Sequence, residues 1–164
     1  MDQPRDPPDD RILTDERIAL RPAGDDDLER LVRWSGDFER ESGDDHGPPV
    51  IAATQRHFAA HPDHGRVLLI EQLGQPVGFL IFVRFWSNEF RGPCVILDEL
   101  YVQPEHRGGT GLRVLRAFEQ LMRAHQVRAI DLEVLHRNPR AQALYQRAGF
   151  VSDRVGYVKQ LRRA

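Results

Sequence analysis

Apolar residues recur along this chain at two spacings, every second residue and every third or fourth, and the alternation between them predicts the elements. Arg17 to Arg21 alternates as a strand that Pro22 ends. Asp25-Asp26-Asp27 then opens a helix through about Phe38, with acidic residues at its positive end. The stretch 39–50 is polar and closes on Gly47-Pro48-Pro49, which predicts a loop. A short helix follows from Ile51 to His61, stopped by Pro62. Val67 to Leu73 and Val77 to Phe85 form a hairpin around Gly74-Gln75-Pro76, and Cys94 to Val102 adds a third strand, ended by Pro104. Over 110–125, Val114, Phe118, Leu121 and Met122 mark the buried stripe of a helix, while Arg113, Arg116, Glu119 and Gln120 face water. Ala129 to Val134 is a further strand. Asn138 caps a helix that has Pro139 at its first position, Ala141, Leu144, Tyr145 and Ala148 on one face, and Gly149 past its end. Phe150–Val151 and Tyr157–Leu161 are predicted as final strands. The order β-α-α-β-β-β-α-β-α-β-β is that of a mixed α/β domain.

Composition narrows the function classes. The 164 residues fit one ordinary domain. Residues 1–15, rich in Pro and Asp, read as a disordered leader, and 16–164 as the folded unit. No apolar run approaches the ~20 residues that span a bilayer, and the start lacks the apolar core of a secretory signal, so a cytoplasmic location without membrane attachment is expected. The formal charge of −2 argues against nucleic-acid binding, which needs a basic surface. Cys94 is the single cysteine, so no intramolecular disulfide or cysteine-based metal cluster can form. His57, His61 and His64 have a spacing that can bind zinc, but Pro62 and Gly65 break the helix there. Surface histidines and no metal are the expectation. Trp34, Phe85 and Trp86 fit core positions better than the wall of a pocket.

The segment from Val95 to Val134 carries the chemistry. It runs strand, loop, helix, strand, and its loop is Pro104-Glu105-His106-Arg107-Gly108-Gly109-Thr110-Gly111. Glycines at 108, 109 and 111 let main-chain N–H groups approach an anion where a helix begins, and the helix start adds unpaired donors and partial positive charge. Arg107 offers a fork-shaped cation. This pattern suits a phosphate or diphosphate. A dinucleotide fold fits less well. Asp131 lies about 20 residues on, as a ribose-binding acid would, but the expected third glycine falls on Val114 and the glycines follow the strand by six residues. A P-loop is excluded, because no Gly-Lys-Ser/Thr follows.

The run Leu97-Asp98-Glu99-Leu100-Tyr101-Val102-Gln103-Pro104-Glu105-His106-Arg107-Gly108-Gly109 resembles the acetyl-CoA-binding motif of the GNAT superfamily of N-acetyltransferases, in which a strand ends in Val-x-Pro before Arg/Gln-x-x-Gly-x-Gly/Ala. Leu132-Glu133-Val134, Asn138, Ala141, Leu144-Tyr145, Arg147 and Gly149-Phe150 match its second motif. The match is close over 94–151. The loop departs from the pattern by one missing residue: counted from Pro104, Arg107 and Gly108 align and Thr110 and Leu112 replace the later glycines. Counted back from the helix, Gly109 and Gly111 align and His106 takes the arginine position.

The resemblance implies a mixed, mostly antiparallel central sheet with flanking helices. It implies an enzyme that moves an acetyl group from acetyl-CoA, a co-substrate, directly to a primary amine of a small molecule or a protein. A non-catalytic acyl-CoA sensor is the alternative. Main-chain groups of Leu100, Tyr101 and Val102 would pair with the pantetheine arm. Arg107, Gly108, Gly109, Thr110, Gly111 and Leu112 would hold the diphosphate, and Asn138 would hydrogen-bond the cofactor. Tyr145 sits where the family protonates the leaving sulfur. An amine of pKa ~10.4 needs about 4–5 kcal/mol to lose its proton at pH 7, against about 2 kcal/mol for a thiol of pKa ~8.5, so a base matters more than an acid. Asp98 and Glu99 are the base candidates. They point to opposite faces of a regular strand, and a bulge would exchange those faces, with Glu99 favoured. The acceptor and the oligomeric state, a homodimer included, are not readable from the sequence.

Overall fold

The computed structural model describes residues 12–15, 17–43, 50–159 and 161. Strands β1 (Ile12–Asp15) and β2 (Ile18–Pro22) lead into helices α1 (Leu28–Ser42) and α2 (Ile51–Ala60). Then come β3 (Gly65–Gln72), β4 (Gln75–Ser87), β5 (Gly92–Val102), α3 (Thr110–Ala124), β6 (Ile130–Leu132) and α4 (Pro139–Arg147). The six strands lie in chain order in one sheet. Every neighbouring pair is antiparallel except β5 and β6, which are parallel. This is the mixed, mostly antiparallel architecture expected.

Both faces of the sheet are covered, which is why Val67–Ile70 and Val77–Phe82 read as unbroken apolar runs. On one face Ile18, Leu20, Leu68, Ile70, Leu80 and Phe82 meet the α3 stripe of Val114, Leu115, Phe118, Leu121 and Met122. On the other, Leu69, Phe79, Ile81 and Tyr101 meet Leu31 and Trp34 of α1 and Ile51 and Phe58 of α2. Arg21 pins the α1 side. It donates to both carboxylate oxygens of buried Asp27 at 2.7 and 3.0 Å and to Glu71 at 2.8 Å. Against the desolvation of that site, Arg21 and the Gly24 N–H hold the Asp27 carboxyl below its ordinary range.

The structure departs from the sequence reading at four places. Residues 12–15, expected within the leader, form β1 on the edge of β2, while 1–11 lie outside the described residues. Asp25–Asp27 form a 3-10 turn, and α1 continues to Ser42, four residues past Phe38, where Gly43 at φ 70° ends it. Of the expected loop 39–50, residues 44–49 are outside the described set. Strand 129–134 shortens to the three residues of β6. Residues 150–151 and 157–159, expected as strands, are irregular and mostly exposed. Three-residue β6 offers little edge to pair with, and Arg154 instead ties this segment to Glu89 at 2.7 Å over the Phe90 ring.

Candidate active site

The C-terminal half of β5 lacks a neighbour that the middle of the strand has. Val95, Ile96 and Leu97 pair with Ile130, Asp131 and Leu132 of β6, and the pairing stops there. Beyond Leu97 the only strand that pairs with β5 among the described residues is β4. Gln103 N–H donates to Val77 O at 2.9 Å, and Val102 lies opposite Gly78. Antiparallel alternation therefore turns the main-chain groups of Leu100 and Val102 away from β4, to the open side, and those of Tyr101 toward Phe79. The expected backbone contact of Tyr101 with a ligand is thus replaced by ladder pairing, leaving Leu100 and Val102.

A β-bulge sits at the point of divergence. Ile81 lies opposite Glu99 and Phe82 opposite Leu97, so Asp98 is the extra residue. The bulge exchanges the faces. Leu97 belongs to the α3-side core, whereas Glu99 shares the α1–α2 face with Ile81 and Tyr101. Burial pushes the Glu99 carboxyl up to about 7, with Asp98 and Glu39 adding repulsion. Its Oε2 is buried and has no hydrogen-bond partner among the described residues. Asp98 is also raised, first by desolvation and then by Glu133. Both carboxyls at this strand irregularity therefore hold their protons more tightly than ordinary carboxyls do.

The turn after β5 ends beside this opening. Pro104–His106 form a 3-10 turn, and Gly109 at φ 86° is the residue before α3. That backbone angle favours glycine. No side chain caps α3. The N–H groups of Gly108, Gly109, Thr110, Gly111 and Leu112 donate to no main-chain carbonyl among the described residues. A Cβ added at Gly108 or Gly109 would meet nothing within 4 Å, so the turn is open beside these two α-carbons. Gly111 serves differently: its Cβ would come 3.0 Å from Leu144 Cδ2, so it lets α4 seat against the first turn of α3.

On α4, Asn138 Oδ1 accepts from Ala141 N–H at 3.0 Å, the cap expected from the sequence. Tyr145 is half-buried beside the α3-side core and edge-on to Phe150, and burial raises its phenol. Cys94 is buried at the far end of β5. Trp34 is core, and Trp86 is exposed. His57, His61 and His64 are exposed, with ring centroids 4.9–5.2 Å apart and His57 Nε2 at 3.1 Å from His64 Nδ1.

Comparison with known proteins supplies the family. The model of the acetyltransferase (GNAT) family matches residues 28–150. The chain belongs to the GNAT family. Among curated proteins, the uncharacterized N-acetyltransferase YhfO of Bacillus subtilis (strain 168) is 31% identical over 98 residues. That alignment covers 58% of this chain and 65% of the relative, so the chain spans less than two thirds of YhfO. An integron cassette protein from the mobile metagenome of Cole Harbour Salt Marsh superposes with TM-score 0.70 at 29% identity, covering 88% of this chain and 91% of its own. A possible acetyltransferase from Clostridium difficile 630 superposes with TM-score 0.76 at 17% identity, covering 90% and 99%, and supports the GNAT fold.

Against the GNAT pattern, Arg107 is placed unexpectedly. Its Nε donates to Val102 O at 2.7 Å, its Nη2 lies 2.8 Å from both Glu41 oxygens, and its guanidinium sits 5.5 Å from the centre of the Tyr101 ring. The fork expected on a diphosphate is engaged with β5 and α1. Sequence reasoning missed Glu41, Glu39, Glu133 and Asp37, whose Oδ2 accepts from Tyr101 OH at 3.5 Å. One signal was available. Glu39 and Glu41 occupy the last turn of α1, the negative end of the helix dipole, where an acid needs a cationic partner.

Proposed function

We propose that this chain is an acetyl-CoA-dependent N-acetyltransferase that moves the acetyl group directly to a primary amine of a small molecule or a protein. The observation that carries this reading is the coincidence of the open side of β5, from Leu100 to Val102, with the unpaired N–H groups of Gly108 to Leu112. The first offers Leu100 N–H and C=O and Val102 N–H to an amide-bearing arm. The second offers donors and the positive end of α3 to a diphosphate. Their juxtaposition fits a ligand with both groups, as acetyl-CoA has. Asn138, at the start of α4, is the further polar contact.

The chain's own residues then divide the proton work. An acceptor ammonium must lose a proton before it attacks, and Glu99 takes it. A carboxyl at about 7 is near half ionised at neutral pH and is a stronger base than an ordinary carboxylate. Asp98, at the bulge, is the secondary base. Tyr145 donates its phenolic proton, or a hydrogen bond, to the departing sulfur, and its raised proton affinity keeps it a donor. Water exclusion by the α3-side core around Tyr145 strengthens that hydrogen bond.

A titration of CoA followed by a thioester-cleavage assay over a panel of amines tests the reading. CoA binding with amine-dependent thiol release is the expected result. Binding without transfer to any amine would support the sensor alternative, and absence of CoA binding would reject both.

A further inference from the structure

The loop between β5 and α3 is one residue shorter than the family pattern and contains consecutive glycines at 108 and 109, so its own sequence does little to fix its conformation. Something outside it must hold its donors toward a ligand. Arg107, the residue before those glycines, is the only loop side chain among the described residues with strong long-range partners, and it reaches in two directions. Its Nε closes on Val102 O at the end of β5, and its Nη2 meets both oxygens of Glu41 in the last turn of α1, 66 residues away. The guanidinium also lies over the Tyr101 ring, a cation–π contact that adds to its hold. Glu41 is itself on a held element, because Arg137, from the segment leading into α4, donates to Ser42 O at 3.0 Å.

We propose that Arg107 is a positioning residue: it straps the 104–109 turn to α1 through Glu41, so that the main-chain donors are preorganised, and it does not itself grip the diphosphate. This rests on the acetyl-CoA reading above. The physical reason is preorganisation. Two glycines lose much conformational freedom when ordered by a ligand, and a strap that orders them beforehand removes part of that loss from binding. The strap also ties the turn to the last turn of α1.

The two roles of Arg107 predict opposite behaviour at Glu41. If Arg107 is a strap, Glu41→Gln loosens the turn and weakens CoA binding. If Arg107 is a diphosphate ligand, Glu41→Gln removes a competing carboxylate and leaves binding unchanged or tighter. The test is calorimetric titration of CoA into the full chain, its Arg107→Gln and Glu41→Gln variants and the double variant, with kinetics on the same proteins. The expected result is a loss of about fivefold in affinity for each single variant, the size of a partly exposed ion pair. The double variant should also lose about fivefold rather than the product of about 25-fold, because both changes open one contact. The KM for acetyl-CoA should rise by the same factor with kcat unchanged, a split that general loss of folded protein would not produce. Wild-type binding with Glu41→Gln as tight as wild type, or with multiplying losses in the double variant, overturns the strap alone. Failure of the wild type to bind CoA overturns the strap and the acetyl-CoA reading together.

Discussion

The two halves of β5 follow different physical rules within one strand. From Val95 to Leu97 it has a strand on either side, Cys94, Val95 and Leu97 are buried, and what it does is hold the sheet together. From Asp98 to Val102 it has one neighbour, an extra residue, two carboxyls of raised proton affinity and main-chain groups with no ladder partner on the open side. The bulge at Asp98 is the boundary. A strand that loses its partner would ordinarily be an aggregation hazard or would be covered. Here the open edge adjoins the uncapped start of α3, and the proposed acetyl-CoA site is made of the unsatisfied groups of the two features.

Substitutions on either side of the bulge should separate accordingly, and the largest effect is expected on the open half. Glu99→Gln should lower kcat/KM by roughly a hundredfold or more, since general bases typically contribute 10²–10⁴-fold. The wild-type profile should rise with pH through about 7, and this acid limb should vanish in the variant. A pH–rate profile over pH 5–9 checks both. Stability should change in the opposite sense. The folded carboxyl binds its proton more tightly than the unfolded one, so the wild type loses stability as pH rises from about 4.5 to about 7. Glu99→Gln should remove that loss, gaining up to about 3 kcal/mol at pH 8, measurable by denaturant unfolding.

On the paired half, Leu97→Ala should cost about 3 kcal/mol of stability by leaving a cavity against the α3-side core. Denaturant unfolding reads this, and turnover per folded molecule should stay within a few-fold if the division at the bulge is right. Tyr145→Phe keeps the packing against Phe150 and removes the hydroxyl. Turnover should fall about tenfold or more, with CoA affinity unchanged, and equal activity at every pH from 6 to 9 would remove Tyr145 from the mechanism. The smallest effect is expected at the start of α4. Asn138→Ala loses the cap to Ala141 N–H, worth about 1 kcal/mol, and thermal unfolding should detect it.

Much of this was legible in the sequence for identifiable reasons. The α3 stripe and the hairpin read at Val67–Leu73 and Val77–Phe85 are local patterns, and local patterns are what periodicity reports. Asn138 and Pro139 are position-specific signals, and α4 begins where they place it. The bulge was anticipated as the feature that would decide between Asp98 and Glu99, but its presence depends on register with β4, which no strand declares alone. Tyr101 was expected to present its backbone to a ligand, and pairing parity removed it. The engagement of Arg107 with Glu41 joins residues 66 apart and has no sequence signature beyond acids at a helix C-terminus. The strands expected at 150–151 and 157–161 are irregular wherever they are described, with 160 outside the described residues, because apolar residues alone do not supply an edge to pair with.

The central claim is that the open side of β5 and the start of α3 form one ligand surface. Amide hydrogen exchange, resolved by residue with and without saturating CoA, tests it most directly. Slowed exchange is predicted at Leu100, Val102 and Gly108–Leu112, with Val95 and Leu97 unchanged because their partners are already in place. Unaltered exchange at Leu100, Val102 and the glycine turn while CoA is bound would contradict the account.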